Sequence, residues 1–348
     1  MGRLFSPVGQ AVLRRLGLTS SLADVCERQF VAAEAAVVER RQAIHLDGEI
    51  DRAAGTAPFR TIALERLRLM PGQYRVPAAI GYEVRDACYI DGNLYKGLAK
   101  HIVGGSTRTL LASVKEEAPS GCILANRQSD LYFGHWLFEE LPAIRASLQW
   151  GPALEAHRKN GPEVHKTAYL KLYGIDAPLR IPARCVIPTL TLIATPNFNL
   201  HHQAGLGLLQ DDLTRQGWAR KNERIFVVRR GGAARSLENE AQIVERLAAE
   251  GFAIIDPMSM SAEDVARACF DARLVVGVEG SHLSHAFMQM RPGASMLIIQ
   301  PPTRFDNPFK DLCDIRGMNY GFVVADAHGE GFSQPIDRLL DTIARMPA

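Results

Sequence analysis

The sequence predicts an α/β protein of two domains facing a cleft, and three observations carry that prediction. In the second half, apolar runs of about five residues alternate with longer helical patterns, the spacing of βαβ units around a parallel sheet. The 348 residues amount to roughly two domains at about 150 residues each. The composition, 47% apolar and 22% charged, is that of a folded globular chain and excludes disordered, collagenous and coiled-coil classes.

Taken in order, residues 1–60 form an N-terminal extension of short helical and irregular patterns, with no readable chemistry and an expected structural role. An α/β domain is expected over 61–210. Its strand-like segments are YRVPAAIGYEVRDACYIDGNLY and GCILANRQ, which alternate, and RIPARCVIPTLTLIATP, an apolar run broken by prolines. Between them HWLFEELPAIRASLQW reads as a helix with Trp136, Leu137, Leu141 and Ile144 on one side. Pro142 inside it predicts a kink, or a break after the first turn. AGLGLLQDDLTRQGWARKN is a helix leading from one half to the other.

The second domain is expected over 220–330. RIFVVRR (224–230) is a continuous apolar strand, Leu237 to Glu250 an amphipathic helix stopped by Gly251, and FAIID (252–256) the next strand. Ser261, with Asp264 three residues on, caps a helix through Phe270. LVVGV (274–278), a helix in GSHLSHAFMQM and SMLIIQ (295–300) continue the alternation, so this half is Rossmann-like. A C-terminal helix within 333–348 is expected to pack back on the first domain.

Forty Lys and Arg against 38 Asp and Glu leave a net charge of +2, too balanced for wrapping nucleic acid or coating an acidic membrane. Arg outnumbers Lys and supplies planar forks for phosphate or carboxylate. The six cysteines are scattered singly, without CxxC pairs or zinc spacing, and reduced core thiols are expected. Neither a signal-peptide core nor a run of about 18 apolar residues occurs, which predicts a cytoplasmic, non-spanning protein. The basic, leucine-rich LRRLGL near the start suggests peripheral contact with a membrane surface.

In an open parallel sheet, ligands sit beyond the carboxyl ends of the strands, where loops lead into helix N-termini that favour anions. Two such places stand out. In RRGGAARSLENE (229–240) a strand ends in Arg229 and Arg230, the loop supplies Arg235, and a helix opens at Ser236. Guanidinium forks there suit a diphosphate, the alternative being solvated loop arginines. There is no GxxxxGKS/T and no GxGxxG in this loop, and GLGLL at 205–209 follows no strand, so a P-loop or dinucleotide fingerprint is disfavoured. In GVEGSHLSHAFMQ (277–289), Gly277 and Gly280 let the loop pass close to a ligand, while Glu279, Ser281, His282 and His285 gather polar groups at the strand end. Singly, Ser281 reads equally as a helix cap and His285 as a half-buried helix histidine.

A third constellation is Asn126, Asp130 and Tyr132 followed by GHWLFEELP. His135 and Glu139 are four apart and share a helix face, either as a general base with its orienter or as a surface hydrogen bond. No third ligand nearby supports a metal. His201 and His202 point apart and read as structural.

These residues together resemble glycosyltransferase family 61. The family pattern is a strand ending in Arg, a loop with a second Arg, then Asn-Glu at a helix start, carried here by Arg229, Arg235, Asn239 and Glu240. FGHWLFEELPAI is similar to the family's Gly-His-Trp-Leu segment, carried by Gly134, His135, Trp136 and Leu137. One departure stands out. Where the family commonly has Gly-x-His-Gly-Ala, this chain has Gly277-Val278-Glu279-Gly280-Ser281, and a histidine appears instead at His282.

The resemblance implies a GT-B architecture of two Rossmann-like domains, a nucleotide-sugar donor and inversion at the anomeric carbon, in capsular, exopolysaccharide or other surface-glycan biosynthesis. It implies an anion clamp of Arg229 and Arg235 with the helix starts at Ser236 and Ser281, in place of a divalent metal, so no metal and no cofactor are expected. His135 is the expected general base, with Glu139 orienting it and Glu279 competing for the role. Asn239, Glu240, Gly280, His282 and His285 complete the expected donor site. The expected partners are the donor and a hydroxyl acceptor on a glycan, glycolipid or protein, with no nucleic acid. Two other readings stay open: a catalytically silent nucleotide-binding scaffold, which the departure at Glu279 allows, and an NAD-dependent oxidoreductase, against which the missing glycine fingerprint counts.

Overall fold

The computed structural model describes residues 3–58, 60–104, 109–155, 164–195, 197–230 and 236–347. The chain forms two compact units, Met1–Ala36 with Val76–Asp211, and Val37–Arg75 with Asp212–Ala348.

A seven-stranded mixed sheet organises the first unit. Its main strands are β1 (Arg28–Ala33), β2 (Ala79–Ile90), β3 (Asn93–Lys96), β4 (Ala99–Ile102), β5 (Gly121–Ile123) and β6 (Arg184–Ala194). β2 and β6 run antiparallel from Ile90 opposite Arg184 to Ile80 opposite Ala194. β1 and the β2–β3–β4 meander are antiparallel as well, whereas β5 and the short Glu116–Glu117 run parallel to β6. The Rossmann-like expectation for this half is therefore not met. The reason lies in the links: Asp91 and Gly92, both at positive φ, make a two-residue turn that can join only antiparallel strands, since a parallel pair needs a crossover of a dozen or so residues.

Among the unit's helices are α1 (Pro7–Arg15), α2 (Arg127–Leu131), α3 (Leu141–Ser147) and α4 (Leu200–Arg215). Ala143 and Ile144 of α3 pack against Cys122 and Ile193 of the sheet. Helical winding continues from Phe133 through Ser147, where a kink or a break was expected, because Trp136–Glu140 forms a wider π turn with the Leu141 N–H donating to the Trp136 carbonyl. The extra residue in the turn accommodates Pro142, which has no N–H to give and whose ring would clash with the carbonyl four residues back.

α4 crosses this run at Gly205, where a Cβ would lie 1.9 Å from the Pro142 carbonyl oxygen. Gly205→Ala is expected to destabilise the protein by about 3 kcal/mol through overpacking against backbone. Gly207, two residues on, faces open space, and Gly207→Ala should instead add up to about 1 kcal/mol. Urea unfolding of the two variants checks the pair.

The second unit holds the parallel sheet. Its strands β7 (Arg224–Val227), β8 (Ala253–Ile255), β9 (Leu274–Val278), β10 (Ser295–Gln300) and β11 (Asn319–Val324) lie in the order β8-β7-β9-β10-β11, all parallel. The four expected strands are present, and β11 adds a fifth that the sequence reading did not include. Helices α5 (Glu240–Ala249), α6 (Ala262–Cys269) and α7 (Ile336–Arg345) accompany them. Phe226, Val276, Leu297 and Val323 of the sheet share one core with Ile243 and Leu247 of α5.

Two segments differ from expectation. α7 belongs to the second unit: Leu339 and, just past the helix, Met346 are buried in that unit's core, where Gly321 leaves a hollow on β11 in which a Cβ would lie 2.5 Å from Met346 Sδ. Residues 37–75 are likewise stitched to the second unit. Ile44 bridges Gly321, Glu49 accepts from the Val324 N–H and from Arg338, and the buried Glu65 accepts from both N–H groups of Asn307, each at 2.9 Å. Buried carboxylates are tolerable only with such partners. The six cysteines are unbridged thiols.

Candidate functional site

In the second unit, the carboxyl ends of β7, β9 and β10 lie side by side and gather the polar residues. Arg229 follows the end of β7, and its backbone N–H donates to Glu240 Oε1 at 2.7 Å, so the first residue of α5 ties down the strand end. The Arg229 guanidinium reaches across to β9, where Nη1 donates to the Glu279 carbonyl at 3.2 Å and lies 3.3 Å from His282 Nδ1. A guanidinium only donates, so His282 Nδ1 accepts and its ring proton sits on Nε2.

This approach depends on Gly280. A Cβ there would lie 1.8 Å from Arg229 Nη1, and its φ of 154° with ψ of 166° is open in practice only to glycine. Glu279 is 5% exposed, and its carboxylate pairs with Arg304 Nε at 3.9 Å. Arg304 comes from the loop after β10. Sequence reasoning missed it, and its one signal is the position just beyond an apolar strand.

The remaining expected donor residues are placed differently. Both amide atoms of Asn239 are spent on the Gln334 backbone, at 2.8 and 3.0 Å. Ser236 is exposed, its carbonyl accepts from the Phe332 N–H, and Leu237 bridges Phe332. That pairing commits the backbone before Glu240, so α5 starts at Glu240 and not at Ser236. Ser281 is exposed in a single tight turn, Ser281–Leu283, followed by the four-residue helix Ser284–Phe287 in which His285 is buried. Arg235 lies outside the described residues. The structure thus brings together Arg229, Glu240, Glu279, Gly280 and His282, and adds Arg304.

In the first unit, the π turn carries the second constellation. His135 Nδ1 lies 3.0 Å from Glu139 Oε1, and Asn126 Nδ2 donates to Glu139 Oε2 at 3.0 Å. Asn126 is itself fixed, because its Oδ1 caps α2 by accepting from the Gln128 and Ser129 N–H groups. Burial pushes the Glu139 carboxyl upward, but the hydrogen bond and charge of His135 outweigh it, with Asn126 adding, and hold it below the ordinary glutamate value. An ionised carboxylate only accepts, so His135 donates from Nδ1 and its Nε2 is left with a lone pair when the ring is neutral.

His135 keeps 38% of its side chain exposed and is flanked by the Phe138 and Tyr132 rings. Behind Glu139, burial pushes both His202 and His201 down to about 4. His202 accepts from the Asn199 N–H at 3.1 Å and stacks on Phe198, while His201 Nε2 lies 3.0 Å from Ser147 Oγ. They act as neutral packing groups.

Among the described residues, no group of three or more His, Cys, Asp or Glu could hold a metal ion, and no helix is long and apolar enough to cross a membrane. A comparison with curated proteins finds no match. Residues 133–297, just under half of the chain, match the model of the family Glycosyltransferase 61. The matched segment contains the His135–Glu139 pair as well as Arg229, Glu240, Glu279, Gly280 and His282, so over these residues the family to which the chain is similar is glycosyltransferase family 61.

Proposed function

We propose that this glycosyltransferase moves a sugar from a nucleotide-sugar donor to a hydroxyl of a glycan, glycolipid or protein, with inversion at the anomeric carbon, in surface-glycan biosynthesis. The observation that carries the reading is Arg229, a guanidinium held at the strand ends of a parallel sheet by the Glu279 carbonyl and His282 over a glycine-only turn. A cation fixed before reaction can meet the charge that develops on a departing diphosphate without reorganising. Arg235 and Arg304 are its proposed partners, and this set of arginines takes the place of a divalent metal.

On the acceptor side, His135 Nε2 takes the hydroxyl proton while the acceptor oxygen forms its bond to the anomeric carbon and the bond to the diphosphate oxygen breaks on the opposite face. One displacement inverts the centre. The imidazolium formed is stabilised by Glu139, which Asn126 holds in place.

The test is thermal unfolding of the protein with UDP, GDP, CMP, dTDP or NADH, with and without a chelator. A ligand at 100 times its Kd adds about 2.7 kcal/mol. A shift with one nucleoside diphosphate, insensitive to chelator, is expected, and NMR of the product should then show the inverted anomer. A shift with NADH alone, or none at all, would overturn the reading, and binding without transfer or donor hydrolysis would leave a silent scaffold.

A further inference from the structure

We propose that the face of the first unit formed by α1 and its neighbours docks the protein onto an anionic lipid bilayer. This rests on features independent of the transfer reaction. Within residues 3–23 and 92–115, the described positions 3–23, 92–104 and 109–115 contain six Lys and Arg and no Asp or Glu, in a chain that otherwise balances its charges. The fold joins the two stretches. Arg3–Phe5 pairs with Ala112–Val114, Ser6 Oγ donates to the Leu110 carbonyl, and Gln10 and Arg14 donate to the Gly97 and Leu98 carbonyls. α1 thus lies along the turn between β3 and β4. Burial and the neighbouring Arg14 charge hold the Lys100 ammonium below its ordinary value, a sign of like charges gathered together.

The tip of α1 supplies the apolar part. Gly17 takes φ of 82° and the Leu18 N–H bonds to the Leu13 carbonyl at 3.0 Å, a helix-ending turn that brings Leu18 back toward Leu13. Leu16 is nevertheless 71% exposed and Leu110, on the adjoining segment, 73%. Exposed leucines beside arginine and lysine match the two layers of a bilayer surface, acyl chains below and phosphate headgroups above. Charge selects the occupant. A second copy would set the same positive surface against itself, and two of the flanking carboxylates, Asp24 and Asp91, are already engaged by Ser21 and Arg184.

The test is co-sedimentation of the full chain with vesicles of phosphatidylcholine alone or with roughly one-third phosphatidylglycerol. Partition onto the anionic vesicles is expected to exceed that onto neutral ones by at least about tenfold and to weaken as salt rises. Arg15→Ala should lower it about fivefold, and Leu16→Asp about tenfold or more, with thermal midpoints close to the parent because both side chains are exposed. Equal partition onto the two vesicle types, no partition, or undiminished binding by Leu16→Asp would overturn the proposal. So would a dimer that Leu16→Asp dissociates, which would assign the face to a second copy.

Discussion

Arg229→Ala is expected to lower kcat/KM at least about a hundredfold, a loss of about 2.7 kcal/mol or more from the transition state, with little change in thermal midpoint. Two of the side chain's contacts run to the Glu279 carbonyl and His282, while the bond to Glu240 uses the backbone N–H and survives the substitution. Arg229→Lys should not rescue the rate, because an ammonium is a point charge without the planar fork. Gly280→Ala reaches the same end by another route. Its Cβ would lie 1.8 Å from Nη1 and must displace the guanidinium, and the backbone strain adds about 1–3 kcal/mol of instability. Steady-state kinetics beside thermal unfolding separates the two, and a fully active, folded Arg229→Ala protein would remove the anion clamp.

His135→Ala is expected to cost about 10²- to 10⁴-fold in kcat, the range for a lost general base. The rate of the parent enzyme should also depend on Glu139. Its carboxyl is held below the ordinary glutamate value, so the carboxylate that accepts from His135 is fully formed above the unfolded value of about 4.5 and is lost as the pH falls through the lower folded one. Glu139→Gln should therefore lower the rate at neutral pH, where it removes the charge that stabilises the imidazolium. Single-turnover rates across pH test both statements. If His135→Ala keeps its rate and Glu279→Gln loses it, the base is Glu279.

Much of this was legible in the sequence. β7, β9 and β10 stood out because strands buried on both faces of a parallel sheet must be continuous apolar runs. The His135–Glu139 pair was legible because a spacing of four places both residues on one helix face whatever surrounds them. The hairpin of the first unit also carried a local signal, Asp91-Gly92, which marks a two-residue turn and so an antiparallel pair. Weighed alone, it would have spoken against a second Rossmann-like domain.

What local pattern could not supply is adjacency. Arg229 and Glu279 meet because β7 and β9 are neighbours in the sheet, and Arg304 reaches Glu279 because β10 lies next to β9. Asn239 and Ser236 are drawn away from the site by a distant strand, Gly331–Ser333, and the residues around it. α7 stays with the second unit because Gly321 leaves room for Met346. The sequence by itself determined the elements and the local pair, since periodicity and turn chemistry act within a few residues. Strand order, and with it the grouping of Arg229, Gly280, Glu279 and Arg304, was decided by tertiary packing, in which side chains distant in sequence compete for the same buried positions.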